Sequence, residues 1–513
     1  MALLGTILKN GLKLSKSIQL KPTPAYELQR KELVKLISTA EDTDFGRNYH
    51  FYKILNKANS FDKKSVFEEF KANVPIFNYN KIYDAWWHRT LEGQENVAWP
   101  GKVKYFALSS GTSEASTKHI PLSKEMLKAI KKSGIRQMLS LSNFNLEKST
   151  FEKRILMLGG STDLEYNGTY YEGDLSGISA SKVPFWFHHF YKPGRKIARN
   201  KDWESKLNEI VEIAPTWDVG YIVGVPAWIQ ILMEKIIQRY NLKNIHEVWP
   251  NLQVFVHGGV SFEPYKKGFE KLLGKPLTYI ETYLASEGFI AFQTRPNNKG
   301  MKMVLNNGIF FEFVPFNDHN FDSNGDLIEN PETLLINEVQ EGVDYALLIT
   351  TCAGTWRYLI GDVIRFTDLS NYEIIIKGRT KHFLSLCGEH LSVDNMNKAI
   401  KLVSQELNID IKEFTVAGIP YNSMFAHKWF IGTDAKVEAS KIKVLLDEKL
   451  KELNDDYRVE RIAALQEVFV EVLPCETFYE WMKLKGKQGG QHKFPRVLKS
   501  AQLADWEAFL KSK

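Results

Sequence analysis

Cysteine is scarce in this chain. The three present in 513 residues, Cys352, Cys387 and Cys475, stand far apart. An odd, sparse set excludes a disulfide framework and fits a reducing compartment, so the expected location is cytoplasmic. Long apolar runs are missing as well. The richest, residues 219–237, is interrupted by Pro226, Gln230, Glu234 and Lys235, which leaves no membrane span. There is no extended basic block, and a net charge of +6 is small for this length. Nucleic acid is therefore not an expected partner. Residues 1–21 hold Lys9, Lys13, Lys16 and Lys21 but no arginine and no clean A-x-A site. That pattern reads as a first helix rather than a cleaved leader. Internal repeats are absent. So are a G-x-S-x-G elbow, a Walker A loop and a G-x-G-x-x-G turn after a strand.

What is present is an ordinary globular composition, 44% hydrophobic and 25% charged, in a chain long enough for two or more domains with a large core. Residues 27–40 have helical spacing, with Leu28, Leu33, Leu36 and Ile37 on one face. Trp86, Trp87 and Trp99 are expected in the core, a substrate wall being the alternative. Residues 123–141 read as a helix with Ser123 as N-cap and Met126, Ile130, Ile135 and Leu139 along one stripe. Its start lies soon after a Ser/Gly loop, where its dipole can help hold an anion. Strand-like runs at 154–160, 252–257 and 278–283 end in Gly159-Gly160, Gly258-Gly259 and Ala285-Ser286-Glu287-Gly288. Between them, 207–213 is helical, and Gly224-Val225-Pro226 opens a helix reaching residue 240. This alternation predicts an α/β fold with parallel strands and a ligand crevice outside their carboxyl ends. After Met301, short runs at 309–314, 334–339, 345–351, 358–366 and 372–377 predict a β-rich, antiparallel region. A polar break, Gly378-Arg379-Thr380-Lys381, reads as an interdomain hinge. Beyond it lie a helix at 392–406, a strand at 414–417 and a helix at 439–453. The expected domains are 1–377, with mixed and parallel sheets, and 378–513, a smaller, mobile α+β unit.

Four stretches carry candidate chemistry. The run 103–108 empties into Ser109-Ser110-Gly111-Thr112-Ser113, with Lys118 beyond. Gly111 permits close backbone approach, while successive N–H groups and hydroxyls can form an anion nest; an ordinary polar turn is the alternative. In Tyr283-Leu284-Ala285-Ser286-Glu287, the carboxylate past a strand end can hold Mg²⁺ or a nucleotide, or merely cap a turn. In Tyr358-Leu359-Ile360-Gly361-Asp362-Val363, a carboxylate sits in an apolar strand. Burying it is costly unless it accepts hydrogen bonds, which two ribose hydroxyls can donate; a β-turn aspartate is the alternative. Gly489-Gly490-Gln491-His492-Lys493-Phe494-Pro495-Arg496 is a basic, glycine-rich loop, functional or simply solvated. His382, Cys387 and His390 resemble a metal trio only superficially, since zinc needs a fourth ligand.

In this order and spacing the four stretches resemble the Gretchen Hagen type (auxin-responsive) acyl acid amido synthetases, a branch of the adenylate-forming enzymes that include acyl-CoA synthetases and luciferase. The likeness runs over nearly the whole chain. Ala115 stands where that family usually carries glycine, and Leu359 where its third motif usually carries arginine. The resemblance implies a monomeric enzyme that uses ATP and Mg²⁺ to convert a carboxylic acid into an acyl-AMP, then transfers the acyl group to an amine, commonly of an amino acid. It implies that Ser109, Ser110, Gly111, Thr112, Ser113 and Lys118 hold phosphates and that Asp362 binds ribose. It implies that Tyr283, Ser286, Gly258 and Gly259 shape the nucleotide pocket and that Glu287 helps hold Mg²⁺. Lys493 is implied as the lysine reaching the α-phosphate from a rotating small domain, and Gly224, Val225 and Trp228 as part of the acyl pocket. An acyl-CoA synthetase shares the first half-reaction. A nonenzymatic nucleotide- or acyl-adenylate-binding protein is the reading from another class.

Overall fold

The computed structural model describes residues 23–58, 65–109, 118–182, 190–259, 262–296, 298, 300–322, 325–381, 383–384, 386–485 and 494–512. The expected first helix within 1–21 lies outside them. In chain order the strands are β1 (Tyr105–Ser109), β2 (Lys118–Leu122), β3 (Arg154–Met157), β4 (Glu165–Tyr166), β5 (Tyr171–Gly173), β6 (Tyr191–Lys192), β7 (Val219–Gly224) and β8 (Val254–Gly258). Then come β9 (Thr278–Ala285), β10 (Gly288–Phe292), β11 (Met301–Met303), β12 (Ile309–Pro315), β13 (Asp344–Thr351), β14 (Thr355–Asp368) and β15 (Glu373–Arg379). Last are β16 (Phe383–Leu384), β17 (Leu391–Ser392), β18 (Glu413–Tyr421), β19 (Met424–Gly432) and β20 (Leu465–Leu473).

The chain divides into two compact units. The first comprises Met1–Leu108, His119–Gly259 and Glu270–Lys381; the second is built on His382–Lys513, with short segments at Ser109–Lys118 and Val260–Phe269. The first unit holds an 11-stranded sheet in the order β12-β13-β14-β15-β11-β10-β9-β8-β7-β3-β6. Strands β6, β3, β7, β8 and β9 pair in parallel. From β9 onward to β12 the pairing is antiparallel. Both expected textures are present, and the β-rich region continues the parallel sheet instead of forming a separate layer. Strand β9 is where one pairing gives way to the other.

Helices cover this sheet as their sequences require. The helix Ala25–Ala40 buries Leu33, Leu36 and Ile37, and its Gln29 donates to the Leu305 and Ile309 carbonyls. Trp86, Trp87 and Trp99 all lie in the core. The helix Lys124–Ser140 is capped by Ser123, whose Oγ accepts from Met126 N at 2.9 Å. Its buried face is Met126, Ala129, Ile130 and Ser133, while Ile135 is exposed. Nine residues separate Ile135 from Met126, which at about 100° per residue puts them on opposite sides. Strand β2 stands between the Ser/Gly stretch and this helix, so the helix does not open directly from that loop. The run 334–339 is not a full strand: Leu334 forms an isolated antiparallel bridge with Phe313, and a turn follows. Glu338 accepts from Leu335 N at 2.8 Å and donates its own N–H to the Leu335 carbonyl at 2.9 Å, so a side-chain-supported turn replaces the ladder.

The second unit has a three-stranded sheet, β18-β19-β20. The helices Val393–Leu407 and Ala439–Leu453 fall where helical spacing placed them. Its core includes Phe430, Phe478, Trp481, Phe494 and Trp506. Among the described residues no helix is long and apolar enough to cross a membrane.

Candidate active site

The carboxyl ends of the parallel strands collect glycines because backbones approach closely there. A Cβ on Gly224, at the end of β7, would lie 2.9 Å from the Leu158 carbonyl oxygen. A Cβ on Gly258, at the end of β8, would lie 2.3 Å from the Thr282 carbonyl oxygen. Gly259 has φ +84°, which a side chain rarely adopts, and its Cβ position faces Val225 at 3.8 Å. The ends of β7 and β8 therefore bring together Gly224, Val225, Gly258 and Gly259. Pro226 begins the next helix at its first turn, where the Trp228 ring packs on Trp203 with centroids 4.8 Å apart.

At the end of β3, the buried Lys206 donates to the carbonyls of Gly159 at 2.8 Å and Gly160 at 3.3 Å. Burial pulls this amine down to about 8, with the charge of Asp174 opposing the shift. The patterned run 207–213 gave no sign of a buried lysine at its start.

The strongest convergence is around Asp362. Strand β14 carries three residues between Leu359 and Val363 where β13 carries one between Ala346 and Leu348, a bulge of two extra residues on β14. Gly361 lies in it with φ +90°. The Asp362 side chain is 11% exposed. Tyr283 Oη, on β9, donates to Asp362 Oδ2. Arg379 Nε, on β15, donates to Oδ1 at 2.7 Å, and the two residues are register partners. Arg379 thus belongs to the candidate site, and Gly378 and Arg379 are the last paired residues of β15, just before the division between the two units after Lys381. Arg379 was legible as polar but not as a partner, because the contact exists only through the β14–β15 pairing.

Glu287 lies in the tight turn between β9 and β10 and is buried. Two buried phenols feel both carboxylates. Burial, then the Asp362 charge, raises Tyr283 well above the usual range, with Glu287 adding to it. Burial, then Glu287, does the same to Tyr358, Asp362 contributing. Both phenols remain protonated, and that of Tyr283 donates to Asp362. Tyr358, quoted within a motif and given no role there, is a member of this cluster.

Ser109 closes β1 and Lys118 opens β2; Ser110, Gly111, Thr112 and Ser113 lie outside the described residues. Lys493 does too, but the residues directly after it are firmly held. Val416 N donates to the Arg496 carbonyl at 3.0 Å, Thr415 Oγ1 to the Pro495 carbonyl at 2.7 Å, and Arg496 Nη1 to Glu413 at 2.7 Å. Phe494 is buried in the second unit's core. Cys387 donates to Glu389 and His390 pairs with Asp456 at 2.8 Å, while His382 lies outside the described residues. Among the described residues no group of three His, Cys, Asp or Glu side chains is placed to hold a metal.

The fold is shared with solved structures of a synthetase and a ligase. A GH3.15 acyl acid amido synthetase superposes with a TM-score of 0.59 at 18% identity, covering 98% of this chain and 96% of that one. A 2-hydroxyisobutyryl-CoA ligase gives 0.58 at 12% identity, with 95% and 92% covered. The GH3 family N-terminal domain matches residues 15–208 and 135–278, the GH3 family central domain 302–374, and the GH3 family C-terminal domain 394–502. The chain belongs to the GH3 family. An indole-3-acetic acid-amido synthetase, GH3.2 of Arabidopsis thaliana, is 32% identical over 136 residues, 25% of this chain and 24% of that protein. The matched region spans about a quarter of the length of such curated relatives.

Proposed function

We propose that this chain activates a carboxylic acid with ATP as an acyl-AMP and transfers the acyl group to an amine, that of an amino acid, to form an amide. The observation that carries this reading is the pinned Asp362 carboxylate, which with Glu287 bears on the same two buried phenols, Tyr283 and Tyr358. Family membership and the names of the relatives, amido synthetases, support it. A carboxylate is a poor electrophile, and adenylation makes its oxygen a leaving group. The first step is displacement at the α-phosphorus, so the protein contributes mainly positioning and charge.

In this reading Asp362 accepts from ribose hydroxyls, while Tyr283, Ser286, Gly258 and Gly259 shape the nucleotide pocket. Ser109, Ser110, Gly111, Thr112, Ser113 and Lys118 hold the outer phosphates. Gly224, Val225 and Trp228 line the acyl pocket. Lys493, carried next to the anchored Phe494, supplies positive charge at the α-phosphate. Glu287 suits Mg²⁺, a hard cation commonly held by one or two carboxylates together with substrate phosphates. When bound, Mg²⁺ would neutralise phosphate charge. Domain rotation would let one site serve both half-reactions. Three free cysteines support a cytoplasmic enzyme, and we read it as a monomer.

ATP–pyrophosphate exchange over a panel of carboxylic acids tests the reading, followed by mass analysis with amino acids or CoA as acceptor. Acid-dependent exchange and an amide product are expected. A thioester in place of the amide would make the enzyme a CoA ligase. ATP binding without exchange for any acid would make the chain a binding protein.

A further inference from the structure

The hydrogen bond from Tyr283 to Asp362 has more than one use. Its bland use is to tie β9 to β14. The placement of the two donors points further. Asp362 Oδ1 takes Arg379 from β15 and Oδ2 takes Tyr283 from β9, so each oxygen is held from a different strand. A carboxylate anchored at both oxygens cannot rotate about its Cβ–Cγ bond without breaking one anchor. An ionised carboxylate offers about four lone-pair positions. Among the described residues two are occupied, and the two that remain match in number the donors of a vicinal diol. The bulge at Gly361 supplies the local backbone change that lets a strand residue serve this purpose. The phenol is buried and remains protonated, so it stays a donor throughout the working pH range.

We propose that the Tyr283 hydroxyl is a positioning group that orients Asp362 toward the ribose diol and thereby sets the preference of the site for ribonucleotides over deoxyribonucleotides. This rests on the ATP-dependent reading above and adds a specificity determinant to it. Tyr283 acts here through Asp362; its ring can still line the nucleotide pocket.

The test is Tyr283→Phe, which keeps the buried ring and removes only the donor. Calorimetry with ATP and 2′-deoxyATP reads discrimination without turnover, and exchange kinetics then split KM from kcat. The variant should bind ATP about tenfold more weakly, the scale of a lost hydrogen bond to a charged group. Its affinity for 2′-deoxyATP should change much less, so the ratio between them shrinks, and the kinetic loss should fall on KM. If both nucleotides weaken by the same factor, or neither changes while the melting temperature falls, the bond is only a structural tie and the proposal is wrong. Should the variant fail to melt cooperatively, 3,5-difluorotyrosine at position 283 preserves the shape and alters the donor. An unchanged ratio in that protein also overturns the proposal. A wild-type chain that binds ATP without exchanging pyrophosphate defeats the ligase reading, yet still decides the role of Tyr283. One that binds neither nucleotide defeats both.

Discussion

Asp362 could be picked out at the level of the single residue, because a carboxylate between Gly361 and Val363 in an apolar strand has to be paid for by hydrogen bonds. The sequence did not say which. Two of its partners, Tyr283 and Arg379, are separated from it by 79 and 17 positions, and only the sheet brings them near. Lys206 was hidden for a similar reason: a lysine at the start of a helical pattern looks solvated until the fold buries it. Replacing Asp362 with alanine should weaken ATP binding by about 1.5–3 kcal/mol through the loss of charge-assisted hydrogen bonds. It should also lower the melting temperature, since the buried Tyr283 hydroxyl loses its acceptor. Calorimetry on a variant verified by circular dichroism checks both. Undiminished ATP affinity in a folded variant would remove Asp362 from the nucleotide site.

Among the elements, the bulge in β14 matters most to the site. Gly361 adopts φ +90° and nothing lies within 4 Å of where its Cβ would be, so Gly361→Ala meets no steric neighbour and costs about 1–2 kcal/mol from backbone strain alone. Strain relieved by shifting the bulge would move Asp362. The variant should therefore show a modest fall in melting temperature together with a several-fold rise in KM for ATP, and a fall in stability with unaltered KM would separate the bulge from function. Strands ending in glycine and a helix opened by Ser123 were legible because each depends on local chemistry. The bulge was not, since it is defined by what β13 and β15 do opposite it. The same pairing means that a proline at 379 would remove a strand partner and an ion pair, so it would not isolate an effect on a hinge. A second element, the turn at 386–390, is held by a wholly buried carboxylate. Glu389 accepts from Leu386 N and Cys387 N at 2.9 Å and pairs with His427 at 2.9 Å. Burial works against its charge, but His427 and the two amides overcome it and hold the group down at about 2. A depressed carboxylate contributes stability that is present above its unfolded value, about 4.3, and is lost as pH falls through the folded value. Acid unfolding of the wild type should steepen between those limits. Glu389→Gln should be less stable at neutral pH by about 1–3 kcal/mol and show a shallower slope in that window; parallel melting curves from pH 7 to 2 would rule out this source of acid sensitivity.

For the whole molecule, the candidate groups divide between two compact units. Tyr283, Glu287, Asp362 and Arg379 belong to the first, while the stretch carrying Lys493 falls in the second, where Phe494, Pro495 and Arg496 are bound into its core and to β18. On the proposed function, a lysine needed at the α-phosphate during adenylation would obstruct an incoming amine if it stayed there, and the two half-reactions would then call for two arrangements of the units. Labels placed on an exposed residue of each unit should accordingly report different distance distributions for the ATP-bound enzyme and for the enzyme holding a nonhydrolysable acyl-AMP analogue. Lys493→Ala should lower the rate of adenylation about 10²-fold or more, as expected for the loss of a charge contact made in the transition state, while amide formation from supplied acyl-AMP is affected far less. Such a split between half-reactions is what a lysine withdrawn after the first step requires. If both steps fall together, or if the label distances are the same in every ligand state of an enzyme that still turns over, Lys493 works from a fixed position and rotation has no part in the reaction.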